Sequence, residues 1–251
     1  MNMRVGGLSM AVGVAIALVA PTVADGTEES LAEAVARGRT VYMEQCASCH
    51  GVRGDGRGEA AAYLNPPPRN FTTGVYKFRS TMSGQLPTDD DLLRTITIGI
   101  AGTSMDRYAE LPERDRRALV VYLKSLSPRF DREQASTPIP LPPPRPLTTE
   151  SAVRGREVYE RMQCAACHGD GARGDGPLAD DLSDAGGLPI RPADLTRPQL
   201  KGGKAPESVY RSVMTGLDGT PMPSYGDSLM PEEAWDLALY ILSLSLREGT
   251  R

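Results

Sequence analysis

Aromatic side chains are scarce in this chain: one Trp, three Phe and nine Tyr, 5% of 251 residues. Histidine occurs twice and cysteine four times. Basic charge is not in excess either, with 28 Lys+Arg against 32 Asp+Glu and a net charge of −4. That balance excludes the basic face that nucleic acid requires. Convincing period-2 strand patterns are absent as well. What is present is a 40% apolar chain, too rich for disorder. Its length suits one large domain or two of about 100–150 residues.

The first 24 residues read as a targeting segment. Arg4 is the only charge there, an apolar stretch runs from Leu8 to Ala20, and Thr22-Val23-Ala24 offers small residues at a cleavage site. The alternative is an uncleaved anchor, because Val5 to Val23 is a charge-free run of 19 residues, near the ~20 needed to span a bilayer. Three glycines, Ser9 and Pro21 weaken such an anchor. The pattern favours export with cleavage after Ala24, which leaves a mature charge of −5 (27 basic, 32 acidic). Either way the folded part is expected outside the cytoplasm, in the periplasm, with membrane contact only if the segment stays uncleaved.

The rest of the chain repeats itself. Gly38-Arg39-Thr40-Val41-Tyr42 returns as Gly155-Arg156-Glu157-Val158-Tyr159. Cys46-Ala47-Ser48-Cys49-His50-Gly51 returns as Cys164-Ala165-Ala166-Cys167-His168-Gly169. Gly102-Thr103-Ser104-Met105 returns as Gly219-Thr220-Pro221-Met222. The offsets are 117, 118 and 117, so two domains are expected, at residues 25–126 and 151–251. Residues 127–150 between them carry seven prolines, which argues for an extended, semi-rigid spacer without helix.

Each unit reads as a small all-α domain. Leu31, Val35, Gly38 and Tyr42 recur at helical spacing before the first Cys pair. A middle helix starts at Thr88, where Thr88 and Asp91 form a capping-box pattern, and stops near Gly99. A last helix follows Pro112 and buries Leu119, Tyr122, Leu123 and Leu126. The second unit copies this with Ala152-Gly155-Tyr159, then Pro206 to Gly216, then a helix from Pro231 that buries Leu237, Tyr240, Ile241 and Leu244. A glycine inside a helix costs about 1 kcal/mol relative to Ala. Its recurrence at Gly38 and Gly155 points to a close crossing of the first and last helices.

All four Cys and both His sit in two Cys-x-x-Cys-His motifs. On a helical turn, thiols three positions apart reach the two vinyl groups of one haem, and the adjacent His comes under the iron. A redox dithiol needs neither the His nor a second copy. Zinc needs four ligands, which neither repeat supplies, and cysteines this close make a poor disulfide framework. The expectation is therefore two covalently bound haem c groups, attached at Cys46 and Cys49 and at Cys164 and Cys167, with His50 and His168 as proximal iron ligands. Without its haem each unit should be only partly folded, since helices this short are marginal alone.

No spare His or Cys remains for the sixth iron position. Met43 and Met162 lie just before their motifs and belong to the proximal side. Met82, Met214 and Met230 have no equivalent in the other repeat. Met105 and Met222 match, 55 and 54 residues after their His, each with a Tyr three residues later (Tyr108, Tyr225). Methionine is more often core filler than ligand. Recurrence in a Gly-Thr-x-Met loop reverses that expectation for both, and a His/Met pair raises the potential. Asp106 follows Met105 where Pro223 follows Met222, so the first haem is the one more exposed to losing its Met. Each His should donate its other ring nitrogen to a backbone carbonyl, with Pro68 and Pro192 as the expected acceptors.

The glycine-rich runs at 51–58 and 169–176 lack the context of a phosphate loop and read as tight turns. Arg53-Gly54-Asp55 and Arg173-Gly174-Asp175 follow from the repeat. From Ser151 onward the chain has 11 basic and 15 acidic residues, against 13 and 14 for Asp25 to Leu126. This acidic second half reads as a solvated face, or as one that steers a basic partner by salt-sensitive attraction.

With these motifs in place the chain resembles a tandem diheme member of the class I c-type cytochromes. Lys77-Phe78-Arg79-Ser80-Thr81 and Leu86-Pro87-Thr88-Asp89 also resemble diheme cytochromes found beside respiratory oxidoreductases. The resemblance implies two helical cytochrome c domains and electron transfer between redox protein partners, a membrane respiratory complex among them. The alternative is a peroxidase-like diheme enzyme with one open iron, which the Asp106 departure keeps open.

Overall fold

The computed structural model describes residues 1–3, 29–203 and 205–248. Apart from residues 1–3, the expected signal segment lies outside them. Nine α-helices occur among the described residues, with two 3-10 turns. An isolated bridge between Ser183 and Pro189 is the extent of β-pairing among them. No helix in this part is long and apolar enough to cross a membrane.

The first unit contains α1 (Leu31–Gln45), α2 (Ala47–His50), α3 (Asp89–Ile98) and α4 (Glu113–Ser125). A capping box between Ser30 and Glu33 starts α1, and the Thr88–Asp91 box expected from the sequence starts α3. Gly99 closes α3. In α4, Leu119, Tyr122 and Leu123 are buried with Tyr42 and Tyr76 in one apolar cluster, and Leu126 packs on its edge. Leu31 departs from the expected stripe and is 73% exposed. The start of α1 is tied down by ions instead, because Glu29 accepts from Arg37 and Arg114.

The second unit repeats the plan with α6 (Thr149–Arg161), α7 (Ala165–His168), α8 (Pro206–Thr215) and α9 (Pro231–Glu248). Its core gathers Tyr159, Tyr210, Trp235, Leu237, Tyr240 and Ile241, with Leu244 at the edge.

Both helix crossings occur at the repeated glycine. A Cβ on Gly38 would overlap the Ala118 carbonyl and stand 2.8 Å from Tyr122 Cβ. On Gly155 it would overlap the Asp236 carbonyl and stand 2.6 Å from Tyr240 Cβ. Backbone packs on backbone at these points, which hydrogen alone in place of a side chain permits.

The segment between the units differs from a free spacer. It opens with a short helix, α5 (Arg129–Arg132), placed before the dense prolines begin at Pro138. Arg129 donates to the carbonyls of Gly74 and Gly84, at 2.8 Å each. Further on, Ile139 N donates to Ser80 O (2.7 Å) while its side chain packs on the second core. The prolines keep the remainder extended, as expected, but that extended chain lies on both units.

Candidate haem sites

In the first unit, α1 delivers Cys46 and α2 carries Cys49 and His50 into the wall of an open cavity of about 1360 Å³, counting its mouth. Tyr42, buried at the base of α1, donates its hydroxyl to Gly51 O at 2.7 Å and so fixes the end of the motif. Gly51 adopts φ 80°, a left-handed value that lets the chain leave α2. Tyr159 donates to Gly169 O in the same way, at 2.7 Å.

His50 Nδ1 lies 3.0 Å from Arg69 O, and His168 Nδ1 lies 3.0 Å from Ala193 O. A carbonyl only accepts, so Nδ1 carries the proton in both rings. The Nε2 lone pair is then available to a metal. The acceptors are each one residue beyond the expected Pro68 and Pro192. Those proline carbonyls lie instead against Gly56 and Gly174, where a Cβ would stand at 2.8 and 2.6 Å. Burial lowers the pKa of both imidazoles, which favours the neutral ligating form. Phe71 stacks on His50 with ring centroids 4.4 Å apart.

Met105 lines the same cavity as His50. Among the hydrogen bonds that close its loop are Ile100 N to Met105 O (2.9 Å), Thr103 Oγ1 to Ile100 O (2.8 Å), and Met105 N to Thr103 Oγ1 (3.1 Å). The second repeat reproduces each of them. Leu217 N donates to Met222 O (3.1 Å), Thr220 Oγ1 to Leu217 O (2.7 Å), and Met222 N to Thr220 Oγ1 (3.2 Å). The role of Thr103 and Thr220 escaped the sequence reading, although their recurrence signalled it. Asp106 is exposed, and its carboxylate accepts from Arg107 N at 2.7 Å, so this side chain steadies the turn that Pro223 stiffens in the other copy.

The tyrosines after each Met return to the cysteine motif. Tyr108 donates to Gln45 O at 3.1 Å, and Tyr225 lies beside Cys164 at the edge of the second core. The remaining methionines go elsewhere: Met43 is 42% exposed on α1, and Met162 and Met214 pack on the second core. Burial pushes the Cys46 and Cys164 thiols up to about 11. A reactive dithiol needs the opposite shift. Among the described residues no group of three His, Cys, Asp or Glu is gathered to hold a metal ion.

The cavity fits a flat apolar group that carries anions. Leu92, Ile96, Leu119 and Leu123 line it, and the buried Tyr76 hydroxyl on its wall has no hydrogen-bond partner among the described residues. Arg69, Lys77 and Lys201 line it too, with Asp184 the facing carboxylate. Burial and the neighbouring cations hold Lys77 down at about 8. Paired thiols, a neutral imidazole, a thioether and three cations facing a single carboxylate together match a haem with its two propionates.

The comparisons agree. The family model described as Cytochrome c matches residues 35–127, and the one described as Cytochrome C oxidase, cbb3-type, subunit III matches residues 150–241. The chain is 28% identical over 219 residues to the Cbb3-type cytochrome c oxidase subunit CcoP of Azospirillum brasilense, covering 86% of this chain and 64% of that one. Subunit FixP of Azorhizobium caulinodans is 25% identical over 219 residues, covering 86% and 61%. This chain therefore spans less than two thirds of the length of these relatives. Among solved structures, a chain of the Kuenenia stuttgartiensis reducing HAO-like protein complex Kustc0457/Kustc0458 superposes with a TM-score of 0.81. The two are 42% identical over 83% of this chain and 95% of that one. The chain belongs to the cytochrome c family, as two cytochrome c domains in tandem that together make a diheme c-type cytochrome with a covalent haem c for each Cys-x-x-Cys-His motif.

Proposed function

We propose that this chain is an electron carrier whose two irons are each closed by a His and a Met. Residues 25–126 would form the first haem domain, 127–150 the connecting segment and 151–251 the second domain. Cys46 and Cys49, and Cys164 and Cys167, would form the thioethers. His50 with Met105, and His168 with Met222, would complete the coordination. Bound haem supplies an iron that gains and loses one electron. The chain's own residues do the rest. Arg69 O and Ala193 O orient the imidazoles, the Thr-closed loops present the thioethers, and the apolar wall keeps water away. Arg69, Lys77 and Lys201 would hold the propionates of the first haem.

The observation that carries this reading is the cavity that His50 and Met105 share. The matching hydrogen bonds of the two Met loops favour two closed irons over the peroxidase-like alternative. The partners would be redox proteins. The relatives are named as oxidase subunits and the similar solved chain comes from a complex, which supports docking on a larger redox assembly. Export to the periplasm, with residues 1–24 as signal or anchor, remains part of the proposal.

The test is a redox titration of the purified protein, followed by addition of hydrogen peroxide to the protein kept reduced by excess ascorbate as electron donor. Two reversible one-electron transitions per chain, without catalytic peroxide turnover, are expected. Sustained peroxide consumption would replace the carrier with an enzyme.

A further inference from the structure

We propose that the first repeat holds the methionine loop of the second in place, with Arg79 and Asp218 as positioning residues for Met222. The proposal rests on the reading that Met222 ligates the second haem.

Asp218 lies inside the loop that the Leu217–Met222 hydrogen bond closes. Its carboxylate is held from the other repeat. Oδ1 accepts from Arg79 Nη2 at 2.7 Å and from Ser83 Oγ at 3.0 Å, and Oδ2 accepts from Gly84 N at 2.9 Å. Arg79 Nη2 also donates to Thr215 O, the last residue of α8, at 2.9 Å. The Arg79 side chain is 0% exposed and that of Asp218 15%. This is a desolvated pair, in which losing one partner leaves the other uncompensated. Arg69 adds a second hold. Its carbonyl accepts from His50, and its guanidinium lies against Gly219, where a Cβ would stand 3.1 Å from Nη1.

Among the described residues the first repeat has no counterpart to this clamp. Ala101 occupies the position equivalent to Asp218 and is exposed. A Cβ on the matching Gly102 would meet nothing within 4 Å. The Met105 loop is thus closed by its own bonds, whereas the Met222 loop is closed by its own bonds and gripped from outside. The segment Lys77-Phe78-Arg79-Ser80-Thr81, which stood out in the sequence, supplies the grip.

An added ligand must displace the methionine, so its apparent affinity falls with the cost of opening the loop. The experiment is an imidazole titration of the oxidised, fully haem-loaded protein. Met105→Ala and Met222→Ala assign each transition to its haem. In the unaltered protein the first haem binds imidazole more tightly. Asp218→Asn, isosteric but uncharged, tightens binding at the second haem by about tenfold or more, as expected when a hydrogen bond to a charged group is lost. The first haem stays within about twofold of its unaltered value by the additivity of separate sites. Ser83→Ala, which removes one exposed donor, shifts the second haem about threefold or more in the same direction. It decides the case if Asp218→Asn fails to retain two haems. Unchanged binding at the second haem in the folded variants overturns the clamp. If Met222→Ala itself changes neither transition, the ligand assignment fails instead.

Discussion

Substituting Gly38 by Ala is a test in which two physical effects oppose each other. Helix propensity alone predicts a gain of about 1 kcal/mol. The crossing predicts a larger loss. The new methyl would overlap the Ala118 carbonyl and stand 2.8 Å from Tyr122 Cβ, whereas carbon atoms pack best at about 3.5–4.0 Å. The obstructing atoms belong to α4's backbone and to a buried Tyr, so neither can swing aside. Instead α1 and α4 must separate along the interface that also orients Tyr42 on Gly51 O. Overpacking of this kind costs about 1–3 kcal/mol and sometimes more, and backbone contact puts this site at the upper end. The net loss is about 2 kcal/mol, or about 8–16 °C in Tm for a unit of ~100 residues. Thermal unfolding of the holoprotein, followed by far-UV circular dichroism and the Soret band, measures it. Thr40→Ala on the exposed face of α1 is the propensity control and should change Tm little. An unchanged or raised Tm for Gly38→Ala would refute the reasoning.

Three further outcomes follow from the same contacts. Tyr42→Phe and Tyr159→Phe each remove one of two hydrogen bonds to a glycine carbonyl, since Gly54 N and Ala172 N still donate to Gly51 O and Gly169 O; each should cost about 0.5–1.5 kcal/mol by denaturant titration, with the stronger effect on the haem of the altered repeat. Cys46→Ala with Cys49→Ala should leave a protein with one haem by its haemochrome spectrum, and helical signal should fall because the first unit's helices lose their shared core; full helicity without that haem would contradict this. Hydrogen bonds from Arg114 and Arg37 hold the Glu29 carboxyl below the usual carboxylate range. Its folded pKa is therefore the lower one, and its contribution is complete above that value and lost as pH falls through the lowered folded pKa. Glu29→Gln should accordingly flatten the acid limb of a Tm–pH curve and leave the neutral plateau almost level.

What could be read from the sequence was local or repeated. The Cys-x-x-Cys-His spacing lies within one helical turn, and the Thr88–Asp91 cap spans three residues. Gly38 and Met105 gained meaning because Gly155 and Met222 repeat them. The misreadings concern contacts made across long stretches of chain. The carbonyl that receives His50 is chosen by how the 64–74 loop lies over the ring, and a shift of one residue, from Pro68 to Arg69, leaves no trace in composition. Arg79 finds Asp218 139 residues away, and nothing in the charge pattern pairs them. Leu31 fits the helical period, yet ions on Glu29 tie down that end of α1. The proline count foretold an extended segment but not its seating on both units through Arg129 and Ile139.

The central claim is that both irons are closed by methionine. Its most direct test is the near-infrared charge-transfer band from Met sulfur to ferric iron, measured on the oxidised, purified protein and scaled to haem content. A band of two-haem strength, halved by Met105→Ala or by Met222→Ala, is the predicted result. A band of one-haem strength or none in the unaltered protein would contradict the account and leave at least one iron open for chemistry.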